Sequence, residues 1–101
     1  MAAWSMSLHA AALEVDLRLP GSASLKDKRA VLRSVLDGAR NRYRVASAEV
    51  GHQDLRQRAL LGFAAVAGAP GHVIEVLDQV ERFVWSFPEV EVLATDRRWV
   101  E

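Results

Sequence analysis

The sequence contains no cysteine, so disulfide bonds, thiol catalysis and thiolate metal sites are excluded. No apolar run approaches the ~20 residues that a membrane-spanning helix needs, and we expect no membrane partner. Residues 1–7 lack the basic and apolar segments of a secretory signal. We therefore expect these residues to form a flexible N-terminus and the protein to be cytoplasmic.

The formal net charge is zero, so the charge of the whole chain does not indicate a nucleic-acid partner. The charges are nevertheless unevenly distributed. Ser24–Arg44 carries seven bases and two acids, whereas Glu75–Glu101 carries seven acids and three bases. A local basic surface is therefore compatible with the composition.

The length of 101 residues suits one domain, which we place at residues 8–101. A chain of this length can bury about two thirds of its surface, so it needs neither a disulfide nor a metal to fold. We expect no cofactor and no metal site.

A basic amphipathic helix is predicted from Ser24 to about Asn41. Ser24 is a good N-cap, and Asp27 is a shortened capping-box partner. Apolar residues then recur at helical spacing and define a core-facing stripe: Leu25, Leu32, Val35, Leu36 and Ala39. Gly38 weakens the helix, so either another element approaches closely there or the last turn is loose.

The first turns of this helix carry Lys26, Lys28 and Arg29, where the macrodipole disfavours cations by about 0.3–1 kcal/mol each. Two interpretations remain open: a solvated basic face, or a site at which these side chains meet an anion. In the second interpretation, the cations of the helix start and of the following hairpin contact phosphates of RNA: Lys26, Lys28, Arg29, Arg33, Arg56 and Arg58.

Apolar patterns predict four strands and a second helix. The strands are expected at Leu8–Leu19, Tyr43–Val50, Leu55–Ala67 and Glu89–Ala94, and the helix at His72–Ser86. The order βαββαβ is typical of the α+β ferredoxin-like fold, a four-stranded antiparallel sheet with two helices on one face. The first and third strands are the most apolar and should be central. We expect the basic first helix to pair some charges with the acidic second one.

Polar residues cluster in the predicted hairpin: Glu49, His52, Asp54 and Gln57. A four-residue loop would place Glu49 opposite Arg56. Four interpretations are open: a structural turn, a polar binding site, a metal site of Glu49, His52 and Asp54, or a catalytic base at His52. No nucleophile or pocket accompanies His52, so we favour a structural turn and predict no catalytic residue.

The sheet face without helices is predicted to carry small and apolar residues. It lacks the aromatic pair with which RNA-binding modules of this topology stack bases. Such a face suits a second protein layer, for example in a homodimer. RNA would instead be contacted through its phosphates, with strong salt dependence and weak sequence preference.

Three segments resemble the YlxP family of small bacterial proteins of unknown function: L-x-L-P-x-x-x-SLK-x-KR at Leu17–Arg29, N-R-[FY] at Asn41–Tyr43, and AEV-x-HQDL-x-QRA at Ala48–Ala59. The resemblance covers about Leu8–Ala94. It departs from the pattern at Gly51, where the family has an acid, and at Arg56, where an aromatic is frequent.

This resemblance implies a ferredoxin-like fold and a bacterial cytosolic protein often encoded beside translation-initiation and ribosome-maturation factors. By that association it implies a role with the ribosome or other structured RNA. We expect an accessory factor rather than an enzyme.

Overall fold

A computed structural model of the chain describes residues 7–100, and the remaining residues, including 1–6 of the predicted flexible N-terminus, lie outside the described part. The elements are strand β1 (His9–Arg18), helix α1 (Leu25–Tyr43), strands β2 (Ala46–Gly51) and β3 (Arg58–Ala67), helix α2 (Pro70–Trp85) and strand β4 (Glu91–Trp99). The predicted α+β class and βαββαβ order are confirmed.

The four strands form one antiparallel sheet in the order β2-β3-β1-β4, so β1 and β3 are central, as predicted. These two strands pair along their full lengths, from His9 with Ala67 to Arg18 with Arg58. Every second residue faces the two helices and is buried; the largest of them are Leu13, Val15, Leu17, Leu61 and Phe63. The helices thus cover one face of the sheet and leave the other open.

Helix α1 begins as its sequence predicts. Ser24 Oγ accepts a hydrogen bond from Asp27 N–H at 3.1 Å, and Asp27 Oδ2 accepts one from Ala23 N–H at 3.1 Å. The helix ends at Tyr43, where Arg44 adopts a left-handed conformation with φ of 57°. Within residues 7–100, neither helix combines the length and the apolar character that crossing a bilayer requires.

The two helices are in close contact at Gly38. A Cβ atom there would lie 2.5 Å from Phe83 Cζ, so α2 occupies the space of the missing side chain. The Phe83 ring also makes edge contacts with Tyr43 and Phe87, at centroid distances of 5.7 and 5.1 Å. Of the two explanations that the sequence left open for Gly38, the close approach of another element is correct.

The loop between β2 and β3 is longer than predicted, because β2 ends at Gly51 and β3 begins only at Arg58. Glu49 is in register with Leu61, so the predicted pairing of Glu49 with Arg56 was wrong. His52 adopts a left-handed conformation with φ of 59°, and its carbonyl accepts a hydrogen bond from the N–H of residue 55 at 3.0 Å. Residues 52–57 therefore form a compact turn of their own.

Strand β4 extends past its predicted end at Ala94 and pairs with β1 as far as Ala11 with Trp99. Residues 95–99 are exposed, so they do not show the alternation of a half-buried strand. Pairing with the long strand β1, rather than burial, accounts for the extension.

Candidate phosphate-binding surface

Lys28 is completely buried, although it lies among the cations at the start of α1. Its Nζ donates hydrogen bonds to backbone carbonyl oxygens of the β2–β3 hairpin: His52 (2.9 Å), Gln53 (3.3 Å), Leu55 (2.7 Å) and Arg58 (3.0 Å). Glu49 Oε2 lies 2.7 Å from the same nitrogen and supplies the counterion. The ammonium group thus fastens the hairpin turn to the start of α1.

The prediction that Lys28 contacts phosphates was therefore wrong, because its donors are used inside the chain and its side chain has no exposed surface. The position of Lys28 in the sequence indicates that it is buried. Lys28 precedes Leu32 and Val35 by four and seven residues, and both are buried. That spacing places Lys28 on the core-facing side of α1.

The other hairpin residues do not converge on one site. Gln57 Nε2 donates to the carbonyls of Pro20 and Ser22 at 3.3 and 3.1 Å, which ties the turn to the loop before α1. His52 and Asp54 are exposed. Within the described part of the chain, no group of three or more His, Asp or Glu residues is placed to hold a metal ion.

Lys26, Arg29 and Arg33 form an exposed row on α1, which we call the basic stripe. None of their three side chains forms a hydrogen bond or ion pair with a described residue. At about 100° per residue, they fall on the side of the helix turned away from α2. Helix α2 instead packs near Gly38 and Arg42.

Two of the three acidic residues of α2, Asp78 and Glu81, pair with strand β4. Arg97 of β4 lies 2.8 Å from Asp78 and 3.0 Å from Glu81. Partial burial lowers the pKa of Arg97, but hydrogen bonds to Glu81 and Asp78 outweigh this and raise its pKa. The expected charge pairing between the two helices was wrong, since no ion pair joins α1 to α2 among residues 7–100.

The two hairpin arginines lie in different environments. Arg56 is exposed in the turn that Lys28 holds against α1, and it has no partner among the described residues. Arg58 pairs with Asp16 at 2.8 Å, on the open face of the sheet. The structure therefore places Arg56 at the end of α1 where the basic stripe begins, and Arg58 apart from it.

Residues 10–97 match a protein family described as "Protein of unknown function (DUF503)". The chain belongs to this family. It is also 40% identical over 86 residues to the "Uncharacterized protein YlxP" of Bacillus subtilis (strain 168), and this alignment covers 85% of the chain and 94% of that protein. The predicted membership of the YlxP family is confirmed.

The open face of the sheet in this DUF503 chain contains a shallow depression of about 490 Å³. Much of its lining is small and apolar: Ala12, Ala46, Ala48, Val50, Gly62 and Ala64. The neighbouring charges are neutralised in pairs: Glu14 with Arg98, Asp16 with Arg58, and Arg18 with Glu91, at 2.8–3.1 Å. The face thus combines an exposed apolar area with paired charges.

Proposed function

We propose that this protein is a cytoplasmic, non-enzymatic factor that binds ribosomal or other structured RNA through the basic stripe and Arg56. The observation that carries the proposal is the unpaired state of Lys26, Arg29 and Arg33, which no described carboxylate neutralises. Exposed ammonium and guanidinium groups are the usual donors to phosphate oxygens.

The geometry of α1 supports contact with a row of phosphates. Lys26 and Arg33 are seven residues apart, which corresponds to roughly 10 Å along the helix axis. This spacing suits an extended polyanion better than a single bound ion. The buried Lys28 cluster supports the surface from beneath, because it holds the turn that carries Arg56 against the start of α1.

We assign no reaction to this surface. In the part of the chain that the structure describes, none of its four cations hydrogen-bonds a carboxylate or imidazole that would activate a nucleophile or serve as a general base. Binding through phosphates alone is salt-dependent and only weakly selective for sequence. The proposed role is therefore recognition of RNA shape and backbone.

Filter binding to ribosomal subunits and to a structured RNA tests this proposal. The variant Arg29→Gln/Arg33→Gln should bind at least tenfold more weakly, and the slope of log K against log salt should fall by about two. The matched control is Arg18→Gln/Arg98→Gln, which removes the same charge from exposed ion pairs beside the open sheet face. Equal affinity of the two double variants would contradict the proposal.

A second candidate function is a homodimeric interaction module that uses the open sheet face. It is favoured by the apolar depression, where Val50 is half exposed and packs beside Gly62. Sedimentation should show a dimer that Ala64→Glu disrupts and Ala30→Glu, on the exposed side of α1, does not. A wild-type protein that stays monomeric at high concentration would exclude this candidate.

A further inference from the structure

A second cationic site lies between the C-terminal parts of the two helices. It is a shallow cleft of about 440 Å³ that is open to solvent. It is lined by two residues of α1, Arg42 and Tyr43, and by three residues of α2, Gln79, Arg82 and Phe83, together with Ser86, which caps the C-terminus of α2. Its lining thus contains two guanidinium groups and no carboxylate.

The two arginines are held without an acidic partner. Arg42 Cζ lies 5.0 Å from the centroid of the Phe83 ring, so this guanidinium is stacked rather than paired. Arg82 is exposed in the last turn of α2, and its guanidinium group forms no hydrogen bond or ion pair with another described residue. The partial negative charge of the helix C-termini favours both cations. It leaves the N–H donors of the two guanidinium groups available to a ligand.

The wall of the cleft is fixed by packing. The Phe83 ring lies over Gly38 and is in contact with Tyr43 and Phe87, so the surface on which Arg42 stacks has little freedom to move. A stacked guanidinium still presents its N–H groups at the ring edge. The cleft therefore presents unused donors from a preformed surface.

We propose that this cleft binds a phosphoryl group, carried either by a free nucleotide or by an RNA chain. Arg42 and Arg82 donate hydrogen bonds to the phosphate oxygens, and Gln79 supplies a further donor. The basic stripe faces away from α2, so this is a separate site. If the phosphate belongs to RNA, the inference rests on the proposed function; if it belongs to a free nucleotide, it does not.

An NMR titration of the whole chain with 5′-AMP, with adenosine as the control, tests for the free nucleotide. AMP should shift the side-chain signals of Arg42, Gln79 and Arg82 in a saturable manner, and adenosine should not. The variant Arg42→Gln/Arg82→Gln should weaken AMP binding at least tenfold. Arg82→Gln alone leaves the stacked Arg42 in place, so this single variant should weaken AMP binding about fivefold. The stripe variant Arg29→Gln/Arg33→Gln is the matched control and should bind AMP normally.

RNA binding by the same variants separates the two sources of the phosphate. If AMP leaves the cleft signals unchanged but Arg82→Gln weakens RNA binding about fivefold and lowers the salt slope by about one, the ligand is RNA. If neither AMP nor RNA depends on the cleft arginines, the inference is overturned. The stripe variants then still decide the proposed function independently.

Discussion

The ammonium group of Lys28 is buried together with the groups that compensate its charge. Glu49 and four carbonyl oxygens surround the ammonium group, so contacts inside the protein replace the hydrogen bonds that it would make to water. Removal of the ammonium would leave a largely buried carboxylate and several carbonyls without a donor. The contribution of this residue is therefore to stability and to the position of the turn.

Replacement of Lys28 by Met should lower the free energy of unfolding by about 3–5 kcal/mol, because Glu49 loses its counterion in a site where its side chain is 19% exposed. Urea unfolding followed by circular dichroism measures the change. Lys26→Met is the control and should stay within about 0.5 kcal/mol of the wild type. Adding Glu49→Gln to the Lys28 variant should recover part of the loss. Equal stability of the Lys26 and Lys28 variants would contradict this account.

The sequence predicted the basic stripe but assigned Lys28 to the wrong group. A charge count treats Lys26 and Lys28 alike, whereas helical spacing separates them, because only Lys28 shares a side with Leu32. The carbonyl partners of Lys28 lie 24–30 residues later in the chain. Local sequence patterns do not reveal contacts between residues so far apart in the chain. The left-handed position that shapes the turn is occupied by His52 and not by a glycine, so the residue type does not indicate this conformation.

At the scale of elements, strand periodicity was sufficient to predict the order of elements and the central position of β1 and β3. The extent of β4 was not predictable in this way, because residues 95–99 are stabilised by pairing with β1 and not by burial.

Side chains from outside β2 donate hydrogen bonds to the free edge of this strand. Its carbonyls at Ser47 and Glu49 accept hydrogen bonds from the side chains of Arg40 and Gln53. These contacts occupy edge acceptors, which favours association through the face of the sheet rather than this edge.

The contact between α1 and α2 should be sensitive to one methyl group at Gly38. Alanine favours the helix by about 1 kcal/mol, but its Cβ would lie 2.5 Å from Phe83 Cζ. The ring is confined by Tyr43 and Phe87, so we expect Gly38→Ala to destabilise the protein by about 1–2 kcal/mol net. Urea unfolding measures this.

A double variant separates the steric effect from helix propensity. Phe83→Leu removes the ring, so Gly38→Ala should be neutral or stabilising in that background. A substitution that destabilises both backgrounds equally would show that the ring is not the cause. The control without a steric clash is Gly71→Ala in α2, where an added Cβ would meet no atom within 4 Å.

At the scale of the whole molecule, a net charge of zero conceals a separation of charge. Asp78 and Glu81 of α2 and much of the charge on the open sheet face are neutralised by arginines of the sheet, among them Arg97, Arg98 and Arg58. The side chains of the basic stripe have no such partner among residues 7–100. A neutral protein can therefore present cationic surfaces, and the arrangement of charge rather than its sum decides whether a polyanion binds.

A charge exchange that preserves the net charge tests whether the arrangement of charge decides RNA binding. The variant Lys26→Glu/Glu75→Lys keeps the net charge at zero but moves one cation from α1 to an exposed position of α2. If the basic stripe binds RNA, the affinity of the variant should be at least tenfold lower than that of the wild type in 50 mM salt. The difference in affinity between the two proteins should be smaller in 200 mM salt, because screening increases. Electrophoretic mobility shift at the two salt concentrations measures both effects. An unchanged affinity would show that overall charge, or a different surface, governs binding.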